Sequence, residues 1–84
     1  MLWHLYVLQC HDKSLYCGIS TDVARRLGVH NAGKGAKYTR GRLPVRLVFR
    51  LEFTDKSAAL RAEHAFKKLS RVKKLAYMEA HKID

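Results

Sequence analysis

The chain lacks most of what a disulfide scaffold, a fibre or a membrane span requires. Its 84 residues include one proline, five glycines and two cysteines. Two cysteines are too few for a disulfide framework, so Cys10 and Cys17 read as reduced thiols. No apolar run approaches the roughly 18 residues that span a bilayer. The N-terminal residues 1–8 show neither the charged lead nor the small-residue cleavage site of a signal peptide. No membrane association and a cytoplasmic location are therefore expected. Acidic residues are scarce as well: 7 Asp and Glu stand against 17 Lys and Arg, a net charge of +10. Acids spread this thinly argue against a two-metal site, which needs clustered carboxylates. Cys10, His11, Cys17 and His30 match no paired zinc-ligand spacing. Gly33-Lys34-Gly35 lacks the spacing and the following Ser or Thr of a phosphate-binding P-loop. No Ser-His-Asp set or nucleophile elbow is present.

What remains is a small, basic, foldable chain. With 48% hydrophobic residues it is too apolar for a disordered tail. Its length allows one domain, residues 1–84, and a thin core, which excludes a dinucleotide-binding sheet or an enzyme barrel. A pI near 10.1 points to a polyanionic partner, nucleic acid being the commonest. The basic residues are scattered over several elements, which argues against a membrane-surface helix.

Trp3 to Cys10 reads as a strand, with Trp3, Leu5 and Val7 on one face and His4, Tyr6 and Leu8 on the other. Residues 11–14 make a turn, and Leu15 to Ile19 a second strand, so the chain opens with a hairpin. Tyr6 and Tyr16 then share a face at a diagonal offset. Ser20 or Thr21 is placed to cap a helix from Thr21 to about His30, in which Val23 and Leu27 form an apolar pair and Arg26 and His30 share their side. Residues 31–35 end it in a flexible loop. Val45 to Phe53 alternates cleanly, Val45, Leu47, Phe49, Leu51 and Phe53 pointing one way. Asp55 caps a helix from Lys56 to about Leu69 with the stripe Ala59, Ala62, Phe66 and Leu69. Ser70 caps a last helix to about Ala80 bearing Val72, Leu75, Ala76 and Met78. The order ββαβαα predicts a two-layer α+β domain, a small three-stranded antiparallel sheet packed against helices.

Several residues allow two readings each. Glu63 lies at the border of the apolar stripe, where a lone carboxylate is costly without a partner; Lys67 at i+4 or a divalent cation would serve. Arg26 has the fork geometry for a phosphate, or is a solvated helix residue. Tyr6 and Tyr16, on one face of neighbouring strands, read as ordinary sheet aromatics. His30 is a dipole partner at a helix end or a proton carrier. Gly18 is a strand end or a place for close approach. Lys34, Lys37, Tyr38, Arg40 and Arg42 form a solubilising loop or an edge that tracks a nucleic-acid backbone.

Leu5-Tyr6-Val7, followed by Tyr16-Cys17-Gly18, then Arg26, His30 and Glu63 on the predicted helices, resembles the GIY-YIG nuclease superfamily over roughly residues 2–77. The segments GKGAKYTR (33–40) and ALRAE (59–63) resemble its small, single-domain bacterial YhbQ-like (UPF0213-type) subgroup. The resemblance implies hydrolysis of DNA by a metal-dependent endonuclease with links to repair or recombination. Branched, damaged or RNA substrates stay open. It implies Glu63 as the ligand of a single Mg²⁺ or Mn²⁺, Arg26 as phosphate clamp, and Tyr6 and Tyr16 near the attacking water, with Tyr6 favoured as base. His30 would shuttle a proton or contact phosphate, and Gly18 with the 34–42 residues would meet the nucleic acid. Cys17 replaces the Ile of the second motif, and a C-terminal Asn found in some relatives has no counterpart. The alternative is a nucleic-acid-binding module with a decayed site; a protein-interaction adaptor has less support.

Overall fold

The segment richest in aromatic and β-branched residues becomes the centre of the sheet. In the computed structural model, which describes residues 1–82, β1 (Trp3–Gln9) is flanked by β2 (Leu15–Ser20) and β3 (Arg46–Phe53), both antiparallel to it. The described residues also form four helices: α1 (Val23–Asn31), α2 (Lys37–Arg40), α3 (Lys56–Lys67) and α4 (Arg71–Ala80). The expected α+β class, the three-stranded antiparallel sheet and the hairpin opening are all present.

Both faces of β1 are buried, Leu5 through Leu8 being at most 1% exposed. Leu5 and Val7 share one core with Cys17, Phe49 and Phe66, against which Tyr77 and Met78 of α4 pack. Tyr6 and Leu8 share a second core with Val23 and Val45, joined by Tyr16 and Leu27. Because neighbouring strand residues point to opposite faces, α3 and α4 cover one face of the sheet and α1 the other. Burying an aliphatic or aromatic core side chain contributes about 1.5–3 kcal/mol, so the fully buried positions of β1 are the main anchor.

Three expectations are corrected. The alternation of β3 breaks at a bulge: Val7 pairs with Phe49, but Leu8 pairs with Leu47, leaving Val48 extra. One inserted residue reverses every side chain beyond it, so Val45 and Leu47 join the Tyr6 core while Phe49, Leu51 and Phe53 stay opposite. Second, Asp22 itself caps α1, its carboxylate accepting from Arg25 N at 3.1 Å; the Ser20 hydroxyl instead accepts from Asp22 N. Third, α4 packs through Tyr77 and Met78, whereas Val72 is 77% exposed. Asp55 and Ser70 cap α3 and α4 as expected.

The stretch between α1 and β3 is more ordered than its glycines suggest. Asn31 lends its side chain to Val45 as a strand would: Nδ2 donates to Val45 O at 2.9 Å and Oδ1 accepts from Val45 N at 2.8 Å. Gly33 takes a left-handed conformation, φ +76°, which a side chain would disfavour. The single turn α2 follows, and its Thr39 is fully buried.

Candidate active site

Register places the two tyrosines of the hairpin. Tyr6 pairs with Gly18 and Leu8 with Tyr16, so Tyr6 and Tyr16 are diagonal neighbours on the face covered by α1. Gly18 serves the close approach of Tyr6: a Cβ there would lie 2.7 Å from the phenol oxygen. The space beside Gly18 is thus taken by Tyr6.

His30, at the last turn of α1, is fully buried between the tyrosines. Its Nε2 lies 3.1 Å from the Tyr6 hydroxyl and its Nδ1 lies 3.0 Å from Thr39 Oγ1. The Tyr16 ring centroid is 5.2 Å away. Thr39 in turn donates to Ala36 O at 2.9 Å. Gly35 lets the chain pass over the imidazole, since a Cβ there would fall 2.8 Å from His30 Cγ. Burial lowers the proton affinity of His30 and the nearby Arg26 charge lowers it further, so the ring is neutral at pH 7.

Arg26 sits one turn before His30 and is half-buried, while Arg25 beside it is exposed. Burial raises the Tyr6 pKa, and the nearby Arg26 guanidinium pulls it back down. Tyr16 is likewise raised by burial, lowered by Arg26 and raised again by Glu63. Glu63 also acts on Cys17, whose thiol is pushed up to about 12, chiefly by burial. Tyr16 and Cys17 face opposite sides of β2, so a carboxylate that both feel lies beside this edge strand. Tyr6 and Tyr16 thus both meet His30, and Arg26 of α1 and Glu63 of α3 act on Tyr16 through their charges, which relates five residues from β1, β2, α1 and α3.

Glu63 has a side chain only 13% exposed, and its Oε2 is 3.3 Å from Lys67 Nζ. Among the described residues no three His, Cys, Asp or Glu gather to cage a metal. A lone carboxylate is a hard oxygen donor. It suits Mg²⁺ or Mn²⁺, which keep waters and accept phosphate, and is unsuited to zinc. The Lys67 ammonium already places one positive charge on this carboxylate.

The basic segment is only partly open. Lys34 and Lys37 are exposed. Arg40 Nε donates to Gly35 O at 3.3 Å. Arg42 is committed three ways: Nε to Asp12 at 3.0 Å, Nη1 to Tyr38 O at 2.7 Å, and its guanidinium carbon 4.0 Å from the Tyr38 ring centroid. Tyr38 also stacks near Tyr16, centroids 6.1 Å apart, so one face of the expected stacking ring is covered by Arg42.

A groove of about 290 Å³ is bordered by Tyr16, Cys17 and Tyr38 and by Phe66, Lys67 and Lys74 of the two C-terminal helices. On sequence Lys67 has a role only as a partner of Glu63, and Lys74 has none. Sequence reasoning also missed Thr39 and Gly35; their only signal is a threonine and a glycine inside a basic loop. A larger cavity, of about 620 Å³, lies elsewhere, against β3 at Arg50 and Glu52, and touches none of the five related residues.

The catalytic-domain model of the GIY-YIG family matches residues 2–76. The chain belongs to the GIY-YIG family. It is therefore a member of a nuclease family. It is 54% identical over 79 residues to the UPF0213 protein SAG0778 of Streptococcus agalactiae, covering 94% of this chain and 90% of that one. It is 53% identical over 83 residues to a UPF0213 protein of Lactiplantibacillus plantarum, covering 96% and 82%. The solution NMR structure of the UPF0213 protein BH0048 from Bacillus halodurans is similar at TM-score 0.64 and 48% identity, covering 96% of this chain and 86% of that one. That of EF2693 from E. faecalis gives 0.69 and 41%, covering 100% and 94%. The GIY-YIG match spans all five site residues.

Proposed function

We propose that this GIY-YIG domain is a divalent-metal-dependent endonuclease that hydrolyses DNA phosphodiester bonds. The observation that carries the reading is the GIY-YIG catalytic-domain match over residues 2–76, which spans Tyr6, Tyr16, Arg26, His30 and Glu63. A cation-holding carboxylate, a phosphate-holding guanidinium and a phenol that can orient water are the parts that phosphodiester hydrolysis needs.

Glu63 would hold the Mg²⁺ or Mn²⁺, which supplies positive charge against the phosphate and lowers the proton affinity of nearby oxygens. Arg26 clamps the scissile phosphate, whose charge grows as water attacks. Tyr16, half-buried at the groove, holds that water and takes its proton once ionised. Tyr6 was favoured for this task on sequence. Its 1% exposure and its bond to His30 support an anchoring role instead, holding Arg26 from beneath. His30 then works as the partner of Tyr6. Lys34 and Lys37, with Arg40, Arg42 and Tyr38 around them, form the edge that grips the backbone, and Gly18 admits the Tyr6 ring.

A second reading, a binding module without cleavage, draws on the Glu63–Lys67 ion pair, which satisfies the carboxylate without a metal. Parallel incubation of supercoiled, branched and single-stranded DNA with Mg²⁺, Mn²⁺ or EDTA separates the two. The nuclease reading expects metal-dependent nicking; binding without any product under every condition supports the module.

A further inference from the structure

The buried polar chain that starts at Tyr6 leads away from the solvent and ends on a backbone carbonyl, and its protons can be counted. It has three contacts: Tyr6 hydroxyl to His30 Nε2, 3.1 Å; His30 Nδ1 to Thr39 Oγ1, 3.0 Å; and Thr39 Oγ1 to Ala36 O, 2.9 Å. Three protons are available, one each from the phenol, the neutral imidazole and the threonine hydroxyl. A carbonyl cannot donate, so the last contact needs the threonine proton. The middle contact must then be filled by a proton on His30 Nδ1. Nε2 is left as an acceptor, and the Tyr6 proton fills the first contact. Only one arrangement leaves no contact empty, and an empty contact between two buried acceptors is costly.

We propose that Thr39 is a positioning residue for the active site: by fixing the Nδ1–H tautomer of His30, it commits the Tyr6 hydroxyl proton to His30 and leaves the Tyr6 oxygen only lone pairs to offer a donor such as Arg26. The proposal rests on the nuclease reading only in its last step, where Arg26 meets phosphate. The local architecture serves it. Thr39 is 0% exposed on a single helical turn that is otherwise at the surface, and Gly35 is the residue whose lack of a side chain lets that turn close over the imidazole. Tyr6, with no spare proton, can accept from a guanidinium but cannot donate elsewhere. That is the polarity an arginine anchor needs, because a guanidinium offers donors only.

The test is the nitrogen NMR signature of the His30 ring in the full chain at neutral pH. Wild type, Thr39→Val and Thr39→Ser are compared, with kcat and KM for plasmid nicking measured alongside. Wild type is expected to carry its proton on Nδ1. Thr39→Val should lose that preference and lower kcat by roughly 10- to 100-fold with little change in KM, the scale of a misplaced catalytic group. Thr39→Ser should restore both. A proton on Nε2 in wild type overturns the proposal, as does a Thr39→Val protein that keeps the wild-type signature and kcat. The wild-type spectrum requires neither a folded variant nor activity. A chain with Nδ1–H that cuts no DNA therefore counts against the nuclease reading and not against the fixed tautomer.

Discussion

The Tyr6 hydroxyl and His30 Nε2 lie 3.1 Å apart, although the residues are 24 positions apart in sequence. The contact joins the central strand to the end of α1 inside the protein, and it links the fold to the site. Tyr6→Phe removes the hydroxyl and keeps the ring. It should cost about 1–3 kcal/mol of stability by leaving a buried nitrogen unpaired, and it should lower cleavage through Arg26. Denaturant titration and a nicking assay on the same preparation check both effects.

His30 makes stability pH-dependent. Its pKa in the fold lies below the ordinary value of 6.5, so the unfolded chain binds the proton more readily. Well above pH 6.5 both states are neutral and nothing is lost. As pH falls from 6.5 through the folded pKa, stability declines. Thermal melts between pH 7.5 and 5 should show this decline in wild type and a weaker one in His30→Gln.

Glycines at the site differ from glycines elsewhere. Gly18→Ala and Gly35→Ala would drive a methyl into the Tyr6 and His30 rings, whereas a Cβ at Gly28 meets nothing within 4 Å. The first two should each destabilise by about 1–3 kcal/mol. Gly28→Ala, inside α1, should stabilise by about 0.5–1 kcal/mol. Chemical denaturation of the three variants gives the order directly.

Cys17 should be nearly inert. It is 6% exposed, and its thiol is pushed up to about 12. At pH 8 its thiolate fraction is lower than that of a free cysteine by roughly 10³. Alkylation mapped by mass spectrometry should label Cys17 slowly in the native protein and rapidly in urea.

Much of this was legible in the sequence, because local rules and tertiary packing agree at the relevant places. Alternation along Trp3–Gln9 put Tyr6 on its face, the hairpin length set Tyr16 diagonal to it, and the helical step from Arg26 to His30 holds. The missed features depend on contacts between distant segments. The bulge at Val48 arises from pairing with Val7 and Leu8, and nothing within β3 announces it. Asn31 reads as a loop residue until Val45 arrives beside it. Thr39 reads as part of a charged loop, and only the burial of His30 gives it a partner. Tyr38 reads as an available ring until Arg42 is seen covering one face. Glu63 was legible as a carboxylate in want of a partner, and the structure supplies Lys67 beside it.

The most direct measurement is nicking of supercoiled DNA in Mg²⁺ by wild type, Glu63→Gln and Arg26→Ala, with DNA binding followed in parallel by fluorescence anisotropy. The account predicts a loss on the order of 10²-fold or more in cleavage for both variants. Glu63→Gln should still bind DNA, and EDTA should abolish wild-type cleavage. Cleavage by both variants at the wild-type rate, or a wild type that binds DNA and never cuts it, would contradict the account.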